Sequence, residues 1–309
     1  EMALLDKINQ WIDSESRDGG GKVLSGIKSA IAKKSAAGSG TQFYFKSDPP
    51  NPIIPKEKTL EKITFNDLDP LELARQLTAV EFEMFSKIRP YELFGQPWSR
   101  PKLQHLCPNL MELINHFNFI SRAVASIIVS FPKVRGRAKA YEKFIVMAEH
   151  LRNMNSFNLL VAVVSGMNNS GIGRLKWTKA RVTQSHMKTL ESLEELTSMQ
   201  QSYKNYRNTI KENTQPPVIP YMGVYLQDLT FIEDGNPDQI GDLINFSKRI
   251  LVRKILSQIA TFQQEAYNFV IVPILRAYLE NLPQLTDDDI YKQSLVIEPR
   301  SAIKSSDIE

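Results

Sequence analysis

A chain of 309 residues with 42% apolar side chains is long enough for one large core or two smaller ones, and its composition is not that of a disordered protein. Its 38 basic and 34 acidic residues leave a net charge of only +4, so nucleic acid is a weak first guess for a partner. The single cysteine, Cys107, excludes an intrachain disulfide and a multi-cysteine zinc site and fits a reducing compartment.

His105, His116, His150 and His186 do not cluster and lack carboxylate or cysteine partners at ligand spacing, so no metal or cofactor is implied. No signal peptide is visible, and unbroken apolar runs such as Phe269 to Leu275 fall far short of the ~20 residues that span a bilayer. The expectation is a soluble cytoplasmic protein, and the start at Glu1 suggests a piece of something longer.

In chain order, residues 1–34 read as helix, broken at Gly19-Gly20-Gly21, with Leu24, Ile27 and Ile31 set among lysines in the second part. That basic amphipathic segment fits the surface of a neighbouring domain or, as the weaker reading, an acidic membrane. Residues 41–58, containing Asp48-Pro49-Pro50-Asn51-Pro52, read as a linker between a helical segment at 1–40 and a domain over 59–300, followed by a tail at 301–309. Asp69-Pro70-Leu71-Glu72 supplies an N-cap, a proline at the first helical position and an acid at N3, predicting a helix to about Lys87 with Leu73, Leu77, Val80, Met84 and Ile88 on one stripe. Asn109-Leu110-Met111-Glu112 predicts a second start, and Pro90 to Pro108 a loop carrying Trp98. Ala138–Met154 and Phe157–Met167 have broad apolar faces and should form the buried centre. A helix terminus is expected at Ser170-Gly171-Ile172-Gly173, then one long helix from Thr183 to Glu212.

From Pro216 to Arg249 two apolar arms flank Gly235-Asn236-Pro237-Asp238. Gly235 suits a C′ position and Pro237 cannot continue a helix, so the pattern predicts a helical hairpin whose second arm begins at Asp242. On the first arm Met222, Tyr225, Leu226, Leu229 and Ile232 share an apolar face, while Gly223, Gln227, Thr230 and Asp234 form a polar stripe. A helix starting near Pro273 completes an all-α fold: an irregular helical bundle with a protruding helical hairpin. Motifs for covalent chemistry are absent, and acidic clusters such as Asp287-Asp288-Asp289 read as solvated faces.

Three long stretches in order carry a resemblance: Asp67 to Trp98, Asn155 to Thr178, and Pro216 to Asp238 with Leu243-Ile244-Asn245-Phe246-Ser247-Lys248-Arg249 after it. Together they resemble the catalytic domain of Ras-type guanine-nucleotide exchange factors, the Son of sevenless-like family; residues 1–40 are similar, more weakly, to the tail of a Ras exchanger motif. The resemblance implies a protein that binds a Ras-subfamily small GTPase, Ras or Rap first, best in its nucleotide-free state, as a monomer recruited to membranes where the GTPase is anchored. It implies no covalent chemistry. Trp98, Ile114, Asn115, Val161, Asn168, Tyr203 and Tyr221 would line a bowl for the switch 2 region. On the hairpin, Val224, Gln227, Thr230, Asp234 and Asn236 would approach switch 1, the phosphate site and the magnesium site. Thr230 stands where Son of sevenless has a leucine, and Asn115 where it has an arginine; the second bears on which G protein is accepted. The alternative is a docking module of the same shape without exchange activity.

Overall fold

The computed structural model describes residues 47–57, 59–212 and 215–301, together with Phe43 and Phe45. The helices expected over 1–34 and the tail at 302–309 lie outside the described residues. Ser47 onward forms one compact unit, and its described residues are all-α apart from one two-stranded ribbon. The extended segment at 47–57 lies along this unit: Asn268 donates to the Ser47 carbonyl (2.6 Å), and the Ile53 amide donates to Glu72 (3.1 Å).

Helix α1 (Pro70–Lys87) starts where its sequence dictates, with Asp69 Oδ1 accepting from the amides of Leu71 and Glu72. Its buried face is wider than the expected stripe. Leu73, Leu77, Phe82 and Phe85 are buried, and so are Glu72, Gln76 and Glu81, while Val80 and Met84 are only half-buried. Gln76 explains its own burial: it donates to Glu72 and to the Val270 carbonyl (both 2.7 Å) and accepts from the Val272 amide (2.9 Å).

Helix α2 (Pro108–Ser130) is capped differently from the expectation at Asn109. Pro108 is its first residue, and the buried Glu92, on a 3-10 turn at Pro90–Leu93, accepts from the amides of Asn109 (2.9 Å) and Leu110 (3.1 Å). A carboxylate here satisfies two open donors and faces the positive end of the helix dipole. By length and composition α2 could cross a membrane, but half of its most apolar window is buried inside the fold. Helices α3 (Val134–Asn153) and α4 (Phe157–Met167) form the expected centre; every residue of α4 except Ser165 is buried. Gly166 permits the close approach of α4 to α2, since a Cβ there would sit 2.3 Å from the Ser121 carbonyl.

Two short helices, α5 (Ser170–Gly173) and α6 (Lys176–Ala180), replace the single terminus expected at 170–173. The long helix expected over 183–212 is two: α7 (Gln184–Thr197) and α8 (Lys204–Glu212). Between them Gln201, Ser202 and Tyr203 all take positive φ (49°, 56° and 62°), a run that no right-handed helix accommodates.

Helix α9 (Met222–Gly235) and helix α10 (Phe246–Phe262) are the hairpin arms. The junction differs from the expectation in two respects. Gly235 is the last helical residue, with Asn236 turning extended, and the second arm begins after a ribbon of β1 (Gln239–Ile240) and β2 (Leu243–Ile244), whose turn uses Gly241 at φ +60°. The far end of α10 is tied to the core by Gln263, which donates to the carbonyls of Phe85 (2.7 Å) and Ile88 (3.0 Å).

Helix α11 (Pro273–Glu280) and helix α12 (Asp287–Ile297) close the unit. The three aspartates at 287–289 form the first turn of α12, favourable at that end of the helix dipole. Just after α12, the buried Glu298 accepts from the Thr178 hydroxyl (2.6 Å), the Thr178 amide (2.8 Å), the Trp177 amide (3.1 Å) and the fully buried Arg137 (3.3 Å). Burial pulls the Arg137 guanidinium below its ordinary value, and Glu298 opposes that pull.

Candidate functional site

The hairpin is seated by its entry. Ile219, fully buried, bridges to the start of α4: its amide donates to the Asn155 carbonyl (3.0 Å) and its carbonyl accepts from the Phe157 amide (2.9 Å). Three residues on, the Met222 amide donates to Asn158 (3.3 Å), which donates in turn to the buried Glu81 of α1 (2.8 Å). The first turn of α9 is therefore fixed to α4 and, through Asn158, to α1.

At that turn an aromatic cluster forms. Tyr221, the N-cap residue of α9, has its ring 5.6 Å from Tyr203, 5.9 Å from Phe117 and 6.4 Å from Tyr206, and its amide donates to the Tyr206 hydroxyl (2.8 Å). Spacings of this kind suit tilted and edge-on aromatic packing. Burial pushes the phenols of Tyr221 and Tyr206 well up, and that of Tyr225 up to about 12, so these rings stay neutral. Gly223 makes room for the cluster: a Cβ on it would fall 2.4 Å from Tyr221 Cζ. The left-handed run at 201–203 turns the chain into α8 so that Tyr203 meets Tyr221, and such a run costs energy that its surroundings must offset. Arg207 of α8 then grips Asp228 of α9 through two 2.7 Å hydrogen bonds, a bidentate pair that fixes angle as well as distance.

The residues expected in a bowl fall into two groups. Tyr203 and Tyr221 are in ring contact, and Ile114 lies one helical turn from Phe117 on the same face of α2, half-buried, with Asn115 beside it exposed. Val161 is buried, at 8% exposure. Trp98, on the 3-10 turn Pro97–Ser99, and Asn168, capping α4, make no ring or hydrogen-bond contact with the tyrosine cluster among the described residues. Phe117, Tyr206 and Gly223 were not expected in the cluster. The i, i+3 spacings of Ile114 to Phe117 and Tyr203 to Tyr206 were the signal for the first two.

Along α9 the polar stripe is only partly open. Met222, Tyr225 and Leu229 are buried, as the apolar face requires, and Leu226 and Ile232 are half-buried. Val224, expected near the partner, is 2% exposed and belongs to the core side. Gln227 is half-buried with Oε1 unpartnered among the described residues; the Thr230 hydroxyl donates back to the Leu226 carbonyl (2.9 Å). Asp234 is exposed at the last turn, and Asn236 donates to the Ile232 carbonyl (3.0 Å).

The base of the hairpin is an ionic knot. Lys248, 2% exposed, reaches Glu233 (2.6 Å) and Asp238 (3.0 Å), while Arg249 also holds Asp238 (2.7 Å). Burial opposes the Lys248 charge, but the hydrogen bonds from Glu233 and Asp238 outweigh it and hold the ammonium above its ordinary value. Asn245 caps α10 through the Lys248 amide and donates to the Pro237 carbonyl (2.9 Å). The run 245–248 thus braces the junction.

Comparison with known proteins follows this geometry. A RasGEF domain profile matches residues 72–250, from α1 to the start of α10. The chain is 43% identical over 242 residues to Ras guanine nucleotide exchange factor K of Dictyostelium discoideum, covering 77% of this chain and 16% of that protein. It is 41% identical to exchange factor J of the same organism over 84% of this chain and 32% of that protein, and 35% identical to exchange factor I over 99% and 39%. The chain therefore spans well under half the length of these relatives.

Proposed function

Because the chain belongs to the RasGEF domain family, we propose that it is a guanine-nucleotide exchange factor for a Ras-subfamily small GTPase, Ras or Rap first, acting by binding alone. The tyrosine cluster with Ile114, Asn115, Val161, Trp98 and Asn168 receives switch 2. The exposed end of α9, with Gln227, Thr230, Asp234 and Asn236, reaches switch 1 and the phosphate and magnesium site. Val224 acts from behind, as packing for that face.

The observation that supports this mechanism is the continuity of α9. One helix carries Tyr221 at its N-cap and Asp234 in its last turn, about 20 Å apart at 1.5 Å per residue. Docking at one end therefore fixes where the other end falls on the partner. The energetics follow from linkage: a protein that binds the empty GTPase best lowers its affinity for nucleotide by the same factor, and incoming nucleotide expels the protein. Picomolar nucleotide affinity corresponds to ~16 kcal/mol, so contacts at both ends are required to speed release. Asp234 contributes by placing a carboxylate where phosphate oxygens would sit, repelling them and offering the nucleotide-binding loop another acceptor.

Release of labelled GDP from Ras, Rap, Ral and Rho proteins tests the reading, and acceleration of at least one Ras-subfamily member is expected. No acceleration on any of them would overturn it. Within that assay, Asp234→Ala lowers kcat by about 10- to 100-fold with KM changed less than about threefold, since its contact matters only as nucleotide leaves. A loss confined to KM would remove Asp234 from the reactive end. The competing reading, docking without exchange, is favoured by Thr230, a short side chain whose hydroxyl is occupied by the Leu226 carbonyl. Equal affinity for GDP-bound and empty GTPase would select it.

A further inference from the structure

We propose that Gln96 is the positioning residue for Asp234, reaching it from a loop 138 residues earlier in the chain. This rests on the exchange reading above and adds to it a residue in a different part of the domain. Gln96 Nε2 donates to Asp234 Oδ1 at 3.0 Å. Gln96 is buried, at 7% exposure, whereas Asp234 is exposed. The fixed partner in this pair is thus the amide, and the carboxylate is what it orients. Only one of the two carboxylate oxygens is engaged, which leaves Oδ2 to meet a partner.

The backbone is built for this contact. Gly95 and Gln96 both take left-handed conformations, φ +70° and +56°, and for glutamine that conformation is uncommon and costs energy. The strained turn is held on both sides. Gln96's own carbonyl accepts from the Ser99 hydroxyl (2.9 Å) and amide (3.2 Å), and Gln104 donates to the Trp98 carbonyl (3.1 Å). Upstream, Glu92 anchors the loop to the start of α2.

Among the described residues, the other polar contacts of the last turn of α9 stay within the hairpin. Lys248 ties Glu233 and Asp238 to α10, an internal brace that moves with the hairpin. The Gln96 amide is the hydrogen bond that links this end to the α1–α2 loop. Gly95, Gln96 and Arg100 line one open cleft with Glu233, Asp234 and Asp238. Without the amide, the Asp234 side chain swings into that cleft.

Gln96→Asn is the informative variant. Asparagine accepts a left-handed backbone better than other side chains, so the turn survives, but the amide is withdrawn by one methylene. Because Asp234 loses the amide that orients it, Gln96→Asn lowers kcat for GDP release by about tenfold. KM stays within error of the parent protein. In an Asp234→Ala background the same change has less than about a twofold further effect, because the two residues act through one contact. Amide hydrogen exchange at residues 230–236 also rises in Gln96→Asn, a readout that needs no GTPase. Unchanged protection there overturns the proposal even if the parent protein accelerates no GTPase. Where the parent is active, an unchanged kcat in Gln96→Asn, or a full tenfold loss added on top of Asp234→Ala, overturns it as well.

Discussion

Glu298→Ala lowers the free energy of unfolding by about 3–5 kcal/mol, the range for removing one partner of a buried ion pair. The carboxylate gathers the Thr178 hydroxyl and amide, the Trp177 amide and Arg137 into one buried cluster. Arg137 has carbonyl partners of its own at Phe131 (2.7 Å) and Pro132 (3.0 Å), so after the change it is still hydrogen-bonded, but its charge is buried without a counter-charge. A domain of ordinary stability has about 5–15 kcal/mol in total, so this one position holds a large fraction. Glu298→Gln, which keeps an acceptor for Thr178 but leaves Arg137 equally without a counter-charge, costs somewhat less. Urea unfolding followed by circular dichroism checks both, and a loss below about 1 kcal/mol for Glu298→Ala would show that the cluster does not hold α12 to the body.

Tyr221→Ala weakens docking to nucleotide-free GTPase by about 30-fold or more, the effect of removing a central aromatic anchor. Gly223→Ala isolates the reason. The added methyl would lie 2.4 Å from Tyr221 Cζ and 2.5 Å from its hydroxyl. The ring is the free end of a flexible side chain and can swing aside, while alanine in a helix gains about 0.5–1 kcal/mol over glycine. The thermal midpoint is therefore equal or higher, yet docking falls by about tenfold because the ring no longer sits against Tyr203 and Phe117. Titration of each variant with empty GTPase, beside a melting curve, separates the two effects. Parent-like docking by Gly223→Ala would mean that the ring position does not matter.

What the chain disclosed in advance depended on how local each cause was. The start of α1 was readable because Asp69, Pro70 and Glu72 lie within four residues and act on each other. The start of α2 was misplaced because its cap, Glu92, comes from 17 residues upstream and belongs to another turn. The break before α8 left no glycine or proline as a sign; Gln201, Ser202 and Tyr203 are bent by the packing of Tyr203 on Tyr221, not by their own preferences. The ribbon between the hairpin arms escaped notice because its four strand residues are all exposed and give no alternation to detect. Periodicity did find the stripe ending at Asp234. Val224 came from the resemblance and not from periodicity, and at 2% exposure it packs on the core side of α9. Nothing local could have paired Asp234 with Gln96.

The Glu92 cap has a mechanical corollary for the segment that follows it. Because one side chain holds both the turn at Pro90–Leu93 and the first amides of α2, residues 94–107 form a stapled cassette. Its ends stay put whatever its middle does. Lengthening such a closed segment costs only about 0.6 kcal/mol for each doubling, and neither α1 nor α2 shifts register in response. Trp98 and Gln96 both ride on it, so under the proposed function recognition at this edge of the domain can be rewritten by exchanging the cassette while the helices beneath keep their places.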